Sequence, residues 1–396
     1  MIYFILRIFS IFIPFRKWRH SYIRNIKRWL RPEKPVDNYA ELQKHFERFI
    51  MDRTAKDDVS EIKRQIEHIA TADAVSMATA PCASHGFDKK TFLIPSYTNS
   101  EYLIAEKRNL GNEIQTIAVR HAIKSIFQDA EFQLVDMDNA AFYKSAGDLK
   151  KTYVLQAWAA YFPSFLPSGQ MNGIFAGTHL TPLAQRTIVE LVARAPDYFD
   201  DKPLGCRDKA TLEFCKKHGV PAYLFRCNTL TLPKRKSAPK HGKILINDVP
   251  DFLRACIPRH ILSNSVEISQ LDDVVMPERF AAATTLLEKY RDAKMIITSR
   301  IHCASPAVAM GVPVIFLNYH EDQKRRGSFL DGIIPIYSPD DFVGGRVNWN
   351  PIAPNIEDLK KLMLRNLELT IKKSWGDAVG DDELNEVRFK IAEYKS

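Results

Sequence analysis

Short apolar runs alternate with helix-like amphipathic stretches along most of the chain. Runs such as Thr91–Tyr97, Leu204–Cys206, Met295–Thr298 and Pro313–Leu317 are typical of strands buried on both faces. The other strand candidates share this pattern and are Phe132–Val135, Tyr153–Trp158, Gly173–Gly177, Ala222–Leu232, Lys243–Ile246 and Val266–Ile268. From Gly111 to Phe127, apolar residues recur at helical spacing. Strands that alternate with helices predict a mainly parallel sheet and the α/β class.

The length of 396 residues favours two domains over one. Residues 233–240 are polar, basic and bracketed by prolines, as is typical of a linker. We predict an N-terminal α/β domain at 32–235 and a Rossmann-like domain at 240–345. A helical segment at 346–396 is expected to pack back on the first domain. The predicted architecture is two Rossmann-like domains facing a cleft, with ligands at the strand ends.

The net charge of +9 comes almost wholly from the N-terminus. Residues 1–31 contain eight bases and no acid, and the rest of the chain holds 48 bases against 47 acids, so nucleic-acid binding has little support. The apolar run 1–15 would reach about 22 Å as a helix, too short for the ~30 Å hydrocarbon core. Residues 1–31 instead predict an amphipathic segment on an anionic membrane surface, or a surface helix packed on the protein itself.

Six cysteines are scattered along the chain without a CxxC pair. This spacing argues against a zinc ribbon and a secreted disulfide framework, and it favours a reducing cytoplasm. Together with the N-terminal segment, it predicts a cytoplasmic protein held peripherally on the inner face of the cell membrane. The acidic pair Asp136 and Asp138 has the DxD spacing of some metal sites, but a strand that ends in Asp explains it. We predict no metal site.

The stretch from Lys294 to Leu317 carries the most informative strand–helix junction. In open α/β sheets, ligands bind at the carboxyl ends of strands, where helix N-termini favour anions. Arg300 could bind a carboxylate or phosphate in a two-pronged contact, and His302 could exchange a proton near neutral pH. The alternative is an ordinary βαβ unit in which these residues only cap a helix.

Three further junctions carry candidate residues. Gly111 and Asn112 open a helix in which Glu113 could act as a general acid or base, or could only complement the helix dipole. Arg207 follows a strand and could bind an anion, or pair with a surface carboxylate. His179 ends another strand, where lone histidines are more often structural than catalytic.

Five sequence blocks, in their order and spacing, resemble the polysaccharide pyruvyltransferase family over roughly Leu110 to Leu330. The blocks are GNEIQTIAVR (Gly111–Arg120), PLGCRDKATLEF (Pro203–Phe214), CNTLTLP (Cys227–Pro233), KILINDVP (Lys243–Pro250) and TSRIHCASPAVAMGVPVIFL (Thr298–Leu317). The chain departs from the family pattern at Asn112, where the family often has Asp, and at Asn228, which replaces a usually apolar residue.

The resemblance implies a GT-B-like fold and transfer of pyruvate from phosphoenolpyruvate to a sugar as a ketal. The family's Ser-Arg-hydrophobic-His motif matches Ser299, Arg300, Ile301 and His302, in which the arginine and histidine are associated with donor binding and catalysis. The resemblance also makes Arg207 a donor-site candidate.

Ketal formation protonates the enol methylene, adds two sugar hydroxyls and expels phosphate, so it calls for an acid, a base and an anion site. We expect His302 to protonate the donor or its leaving phosphate, while Arg300 and Arg207 hold the anions. Glu113 or His179 would accept the proton of the acceptor hydroxyl. The remaining predicted substrate-binding residues are Ser299, Ile301, Gly111 and Asn112. We expect no cofactor, with phosphoenolpyruvate as donor substrate.

The N-terminal segment fits a lipid-linked saccharide acceptor on the cytoplasmic leaflet, as in the assembly of a capsule or exopolysaccharide. Two alternatives stay open. One is a GT-B glycosyltransferase that uses a nucleotide sugar, and the other is a non-catalytic, membrane-bound scaffold of polysaccharide assembly.

Overall fold

The computed structural model describes residues 56–82, 86–97, 108–159, 163–274, 277–319 and 327–396. The chain divides into two compact units, Met1–Val59 and Ser60–Ser396. The amphipathic segment predicted at 1–31 lies outside the described residues. The described part of the chain begins with a helix that runs from Lys56 to Ala78. Among the described helices, none has both the length and the apolar composition that a membrane crossing requires.

The first half of the second unit is built on a parallel sheet of seven strands. In chain order its elements are α1 (Lys56–Ala78), β1 (Phe87–Ser96), β2 (Arg108–Asn109), α2 (Gly111–Ile126), β3 (Glu131–Asp136), β4 (Lys150–Leu155), β5 (Trp158–Ala159), β6 (Met171–Leu180), α3 (Pro182–Arg194), β7 (Leu204–Cys206), α4 (Lys209–Lys217) and β8 (Ala222–Leu224). The strand order is β3-β1-β4-β6-β7-β8, with the short β5 paired to β6. All these pairs are parallel, as the alternation of strands and helices predicted.

The second half carries a five-stranded parallel sheet. Its elements are β9 (Ile244–Asn247), α5 (Asp251–Arg254), α6 (Arg259–Leu262), β10 (Ser265–Ile268), β11 (Leu271–Asp272), α7 (Arg279–Arg291), β12 (Met295–Thr298), α8 (Ile301–Ala309), β13 (Val314–Leu317), β14 (Ile336–Tyr337), α9 (Pro339–Val343), α10 (Glu357–Ser374) and α11 (Asp381–Glu393). The strand order is β10-β9-β12-β13-β14. The α/β class predicted from the sequence is confirmed.

The two sheets share a hydrophobic core. One cluster of buried residues contains Ile114 of α2 and Val154 of β4 together with Ile296 of β12 and Ala304 of α8. A two-residue antiparallel ladder between β2 and β11 adds backbone hydrogen bonds between the two halves. Both sheets therefore lie in one compact unit, and the division near residue 235 into two domains facing a cleft stays a prediction.

The strand predicted at Ala222–Leu232 is wrong beyond Leu224. A 3₁₀ turn occupies Asn228–Thr231, where the side-chain amide of Asn228 donates to the carbonyl of Ala176 at 2.9 Å. Leu230 of this turn is buried in the shared core. The apolar residues therefore reflected burial, which periodicity alone cannot assign to a strand.

Arg226, between β8 and this turn, is buried and has a left-handed backbone with φ of 69°. Its guanidinium donates to four backbone carbonyls, those of Phe329 at 2.6 Å, Ile391 at 3.0 Å, Asp331 at 3.2 Å and Tyr394 at 3.3 Å. Burial lowers the pKa of the guanidinium to about 10. The residue thus connects the end of β8 to the C-terminal helix α11 and the residues after it.

Candidate active site

Arg207 lies directly after β7, at the carboxyl edge of the first sheet. Its backbone N–H donates to the carbonyl of Thr178 at 3.0 Å, which continues the β6–β7 pairing by one residue. The side chain is 1% exposed, and one terminal nitrogen lies 3.5 Å from Oε1 of Gln115 in α2. A guanidinium that is this buried is expected to have an anionic partner nearby. The Asp208 carboxylate lies 3.8 Å from its Nε, longer than a hydrogen bond.

His302 occupies the first turn of α8, after the carboxyl end of β12 in the second sheet. It is 5% exposed, and its Nε2 has no hydrogen-bond partner within the described ranges. Burial lowers the pKa of the imidazole well below 6.5, and the nearby charge of Arg207 lowers it further. The two sheets therefore bring His302 and Arg207 close together, with the imidazole neutral at pH 7.

Gly111 allows the close approach of α2 to this histidine. A Cβ at position 111 would lie 2.9 Å from Nδ1 of His302, 2.9 Å from Oδ1 of Asn109 and 2.3 Å from Nε2 of Gln270. Distances under 3.0 Å do not occur for real Cβ atoms, so any larger residue would displace these polar groups. The next residue, Asn112, is buried, and its Oδ1 accepts a long hydrogen bond of 3.4 Å from Nε2 of Gln115.

Arg300 and Ser299 are held by Asp248 at the end of the neighbouring strand β9. The Nε of Arg300 donates to Oδ2 of Asp248 at 3.0 Å, and the hydroxyl of Ser299 donates to the Asp248 carbonyl at 2.5 Å. The Arg300 side chain is 28% exposed, and no described residue bonds its two terminal nitrogens. Those nitrogens have the fork geometry that suits a carboxylate or phosphate. Ile301, the first residue of α8, packs against the shared core and is half-buried.

Glu113 forms a buried ion pair. Its Oε2 lies 2.8 Å from a terminal nitrogen of Arg279 in α7, and both side chains are almost fully buried. Removal of one partner from such a pair leaves an uncompensated buried charge, which costs about 3–5 kcal/mol of stability. The pair therefore connects α2 to α7, which gives Glu113 a structural task that the sequence did not reveal.

His179 is paired with Asp208. The Nδ1 of His179 lies 2.6 Å from Oδ2 of Asp208, and the other carboxylate oxygen accepts from the backbone N–H of Thr211 at 3.0 Å, which caps α4. Burial raises the pKa of Asp208, but the His179 hydrogen bond and nearby positive charges outweigh this effect and hold it below 3.8. An ionised carboxylate on Nδ1 fixes the orientation of an imidazole and stabilises its protonated form.

The contacts thus join most of the predicted site residues into two groups. Arg207, His302 and Gly111 lie together, Arg300 and Ser299 share Asp248, and His179 joins the first group through Asp208, the residue next to Arg207. The sequence did not reveal two charged partners of these residues, Asp248, which pairs with Arg300, and Arg279, which pairs with Glu113. Asp248 follows the strand candidate Lys243–Ile246 closely, so the rule that ligands bind at the carboxyl ends of strands could have identified it. No group of three His, Cys, Asp or Glu side chains in the described part of the chain is arranged to hold a metal ion.

The buried imidazole of His302 predicts a pH dependence of stability. Its pKa in the folded protein lies well below 6.5, so the unfolded chain binds the proton more tightly. The contribution of His302 to the free energy of unfolding is then complete above about pH 6.5 and decreases as the pH falls toward the folded pKa. We expect His302→Gln to have a flatter dependence than wild type between about pH 5 and 7, measured by urea unfolding. Parallel curves for the two proteins would contradict the assigned burial of His302.

The solved structures that resemble this chain have low TM-scores. An uncharacterized protein of Klebsiella pneumoniae subsp. pneumoniae NTUH-K2044 is 10% identical, with a TM-score of 0.35, and the match covers 67% of this chain and 92% of that chain. The wall teichoic acid polymerase TagF is 11% identical, with a TM-score of 0.33 and coverage of 91% and 99%. A UDP-N-acetylglucosamine 2-epimerase-like protein of Listeria monocytogenes is 12% identical, with a TM-score of 0.28 and coverage of 77% and 96%. At these scores the likenesses establish neither fold nor function.

No curated protein sequence matches the chain. The family described as polysaccharide pyruvyl transferase matches residues 109–321, which is more than half of the chain. The match includes Arg207, His302, Arg300 and the glycine at the start of α2. It identifies a transferase enzyme that acts in pyruvyl transfer to a polysaccharide. The chain belongs to the polysaccharide pyruvyl transferase family.

Proposed function

We propose that this enzyme transfers the pyruvyl group of phosphoenolpyruvate to two hydroxyls of a lipid-linked saccharide, with release of phosphate. The observation that carries the proposal is the buried pair of Arg207 and His302, contributed by different sheets. Arg207 is a buried cation 3.8 Å from the Asp208 carboxylate, and Nε2 of His302 is buried without a hydrogen-bond partner within the described ranges. A small anion that takes up a proton during its reaction suits a buried cation beside a buried imidazole.

The charges around the site suit a donor with a carboxylate and a phosphate. Arg207 supplies a buried cation, and Arg300 supplies terminal nitrogens at the edge of the second sheet. Asp248 orients Arg300 by accepting a hydrogen bond from its Nε, so the two terminal nitrogens of the guanidinium can bind another group. Two arginines at separate strand ends can hold two anionic groups of one donor.

His302 acts as the acid only after the donor is bound. In the free enzyme, burial and the charge of Arg207 lower the pKa of the imidazole, so it is neutral at pH 7. A bound anion neutralises Arg207 and favours the imidazolium, because an opposite charge stabilises the charged form of a nearby group. His302 can then give a proton to the methylene carbon of the donor while an acceptor oxygen bonds to the adjacent carbon. The second acceptor hydroxyl then bonds to the same carbon, the C–O bond to phosphate breaks, and the proton of this hydroxyl leaves with the phosphate, which completes the ketal.

We assign the base to His179 rather than to Glu113. Glu113 forms the buried ion pair with Arg279, which gives it a structural role. His179 has the orientation of a general base, because Asp208 holds its Nδ1 and leaves Nε2 as the nitrogen that accepts a proton. Asp208 is then a positioning residue for His179.

The lipid-linked acceptor and the position on the inner face of the membrane rest on the sequence of residues 1–31. This segment contains an apolar run and eight basic residues but no acidic residue, a composition that binds anionic lipid surfaces. A GT-B-like cleft between the two sheets would place donor and acceptor at facing strand ends.

The test is phosphate release by the purified full chain, with phosphoenolpyruvate and a panel of synthetic and lipid-linked glycosides. We expect release that depends on the acceptor, and a product whose mass has increased by one pyruvyl ketal. Transfer of a sugar from a nucleotide sugar, with no release from phosphoenolpyruvate, would support a glycosyltransferase instead. If neither donor reacted and phosphoenolpyruvate left the melting temperature unchanged, the scaffold alternative would stand.

A further inference from the structure

Four neighbouring strands of the second sheet are followed by buried polar side chains. Gln270 follows β10, Asn247 ends β9, His302 follows β12 and Asn318 follows β13, and each is at most 5% exposed. Each also carries a buried atom without a hydrogen-bond partner within the described ranges. In Asn318 this is true of both Oδ1 and Nδ2. Buried amides almost always have partners, so an amide with neither atom bonded requires an explanation.

Asn318 lies at the same edge of the sheet as Arg300. Thr298 of β12 pairs with Phe316 of β13, and Arg300 and Asn318 each follow two residues later, beyond the carboxyl ends of these neighbouring parallel strands. The backbone N–H of Asn318 donates to the carbonyl of Tyr337 at 2.8 Å, which fixes the chain here. The side chain therefore has a defined place although its own polar atoms are unbonded.

The amide of Asn318 lies on the side of the sheet that faces the first half of the molecule. A Cβ built on Gly327 would lie 3.3 Å from Nδ2 of Asn318 and 3.2 Å from the ring of Phe316, a residue of the shared core. The next residue, Ser328, accepts through its hydroxyl from the backbone N–H of Lys209 at 3.0 Å. Lys209 is the first residue of α4, two positions after Arg207. The amide of Asn318 thus lies beside Gly327, and the neighbour of this glycine contacts the start of α4, two residues after Arg207.

We propose that Asn318 is a donor-binding residue whose Nδ2 donates a hydrogen bond to a carboxylate or phosphate oxygen of the anionic donor. This inference rests on the proposed function. The amide is neutral, so it adds a directed hydrogen bond without adding a third positive charge near His302. Its unbonded state in the free enzyme is then explained by the oxygen that the donor brings, and Oδ1 is available to an acceptor hydroxyl or to water.

The test compares Asn318→Leu and Asn318→Ala with wild type and with Asn350→Leu, which makes the same change at an exposed position. We expect both Asn318 variants to raise the Kd for phosphoenolpyruvate, measured by calorimetry without acceptor, by about tenfold, as the loss of one hydrogen bond predicts. The melting temperature of the ligand-free Leu variant should equal or exceed that of wild type, because a buried amide without partners is removed. Competition by inorganic phosphate and by pyruvate identifies which end of the donor the amide binds.

A structural role for the amide predicts a different pattern. In that case the Leu variant melts several degrees lower and binds phosphoenolpyruvate as tightly as wild type, which would overturn the inference. Should the Leu variant fail to fold, the Kd of the Ala variant decides alone. If wild type itself does not bind phosphoenolpyruvate, the proposed function fails and the inference falls with it. If wild type binds and both variants bind equally well, only the inference is wrong.

Discussion

Replacement of His302 by glutamine is expected to lower kcat for pyruvyl transfer by about 10²–10⁴-fold, the usual contribution of a general acid. Glutamine keeps a polar side chain of similar length in the first turn of α8, but it cannot deliver a proton to the donor. The loss should appear mainly in kcat, because the buried Arg207, whose charge acts on His302, is proposed to hold the donor anion independently of the imidazole. The measurement is acceptor-dependent phosphate release at saturating phosphoenolpyruvate.

The matched control for this variant is His241→Gln, since His241 is exposed in the segment before β9. It should keep wild-type kcat and the same melting temperature. His302→Gln should also bind phosphoenolpyruvate with a Kd within a fewfold of wild type. A kcat within threefold of wild type (roughly 0.6 kcal/mol) in a folded His302→Gln protein would exclude His302 as the acid.

Replacement of Asp208 by asparagine is expected to reduce kcat by about 10²–10⁴-fold without weakening donor binding. Asp208 accepts from His179 at 2.6 Å, and loss of its charge removes the group that orients the imidazole and stabilises its protonated form. For the same reason, the acidic limb of the pH profile of kcat should move to lower pH. A merely structural Asp208 would leave this limb in place.

Asparagine is a suitable probe because it preserves the cap of α4. Its side-chain oxygen can still accept from the backbone N–H of Thr211, and Asn and Asp are about equally good at the N-cap. The melting temperature should therefore change little. The control is Asp251→Asn, an exposed carboxylate in the first turn of α5. Equal kcat and an unshifted pH limb in Asp208→Asn would remove His179 from the role of base.

The sequence predicted the strand ends at which the candidate site residues lie, because buried parallel strands are short apolar runs that local patterns reveal. Arg207 and His302 were found in this way, and the structure brings them together. Their proximity itself could not be predicted, since it depends on how two sheets pack across the shared core. The sequence also indicated Gly111 as part of the site, and the close approach of His302 explains why a glycine suits this position.

Long-range partners were beyond sequence reasoning. Arg279 pairs with Glu113 across 166 positions of sequence, and nothing in either local pattern indicates the other residue. Asn318 follows an apolar strand and looks like an ordinary polar strand end. Only its burial without a described hydrogen-bond partner sets it apart. The strand predicted at Ala222–Leu232 failed for a related reason, because tertiary burial and strand formation leave the same apolar signal over a few residues.

The anchoring of Arg226 has a consequence for truncated forms of the protein. Its guanidinium depends on the carbonyls of Ile391 and Tyr394, so removal of α11 and the residues that follow would leave a buried cation with part of its acceptors missing. Arg226 is the immediate neighbour of Cys227 and Asn228, and Asn228 donates to the strand that carries His179. A nonsense mutation in the codons for the last helix would therefore damage more than a peripheral tail, because it would loosen the strand ends at which catalysis is proposed to occur.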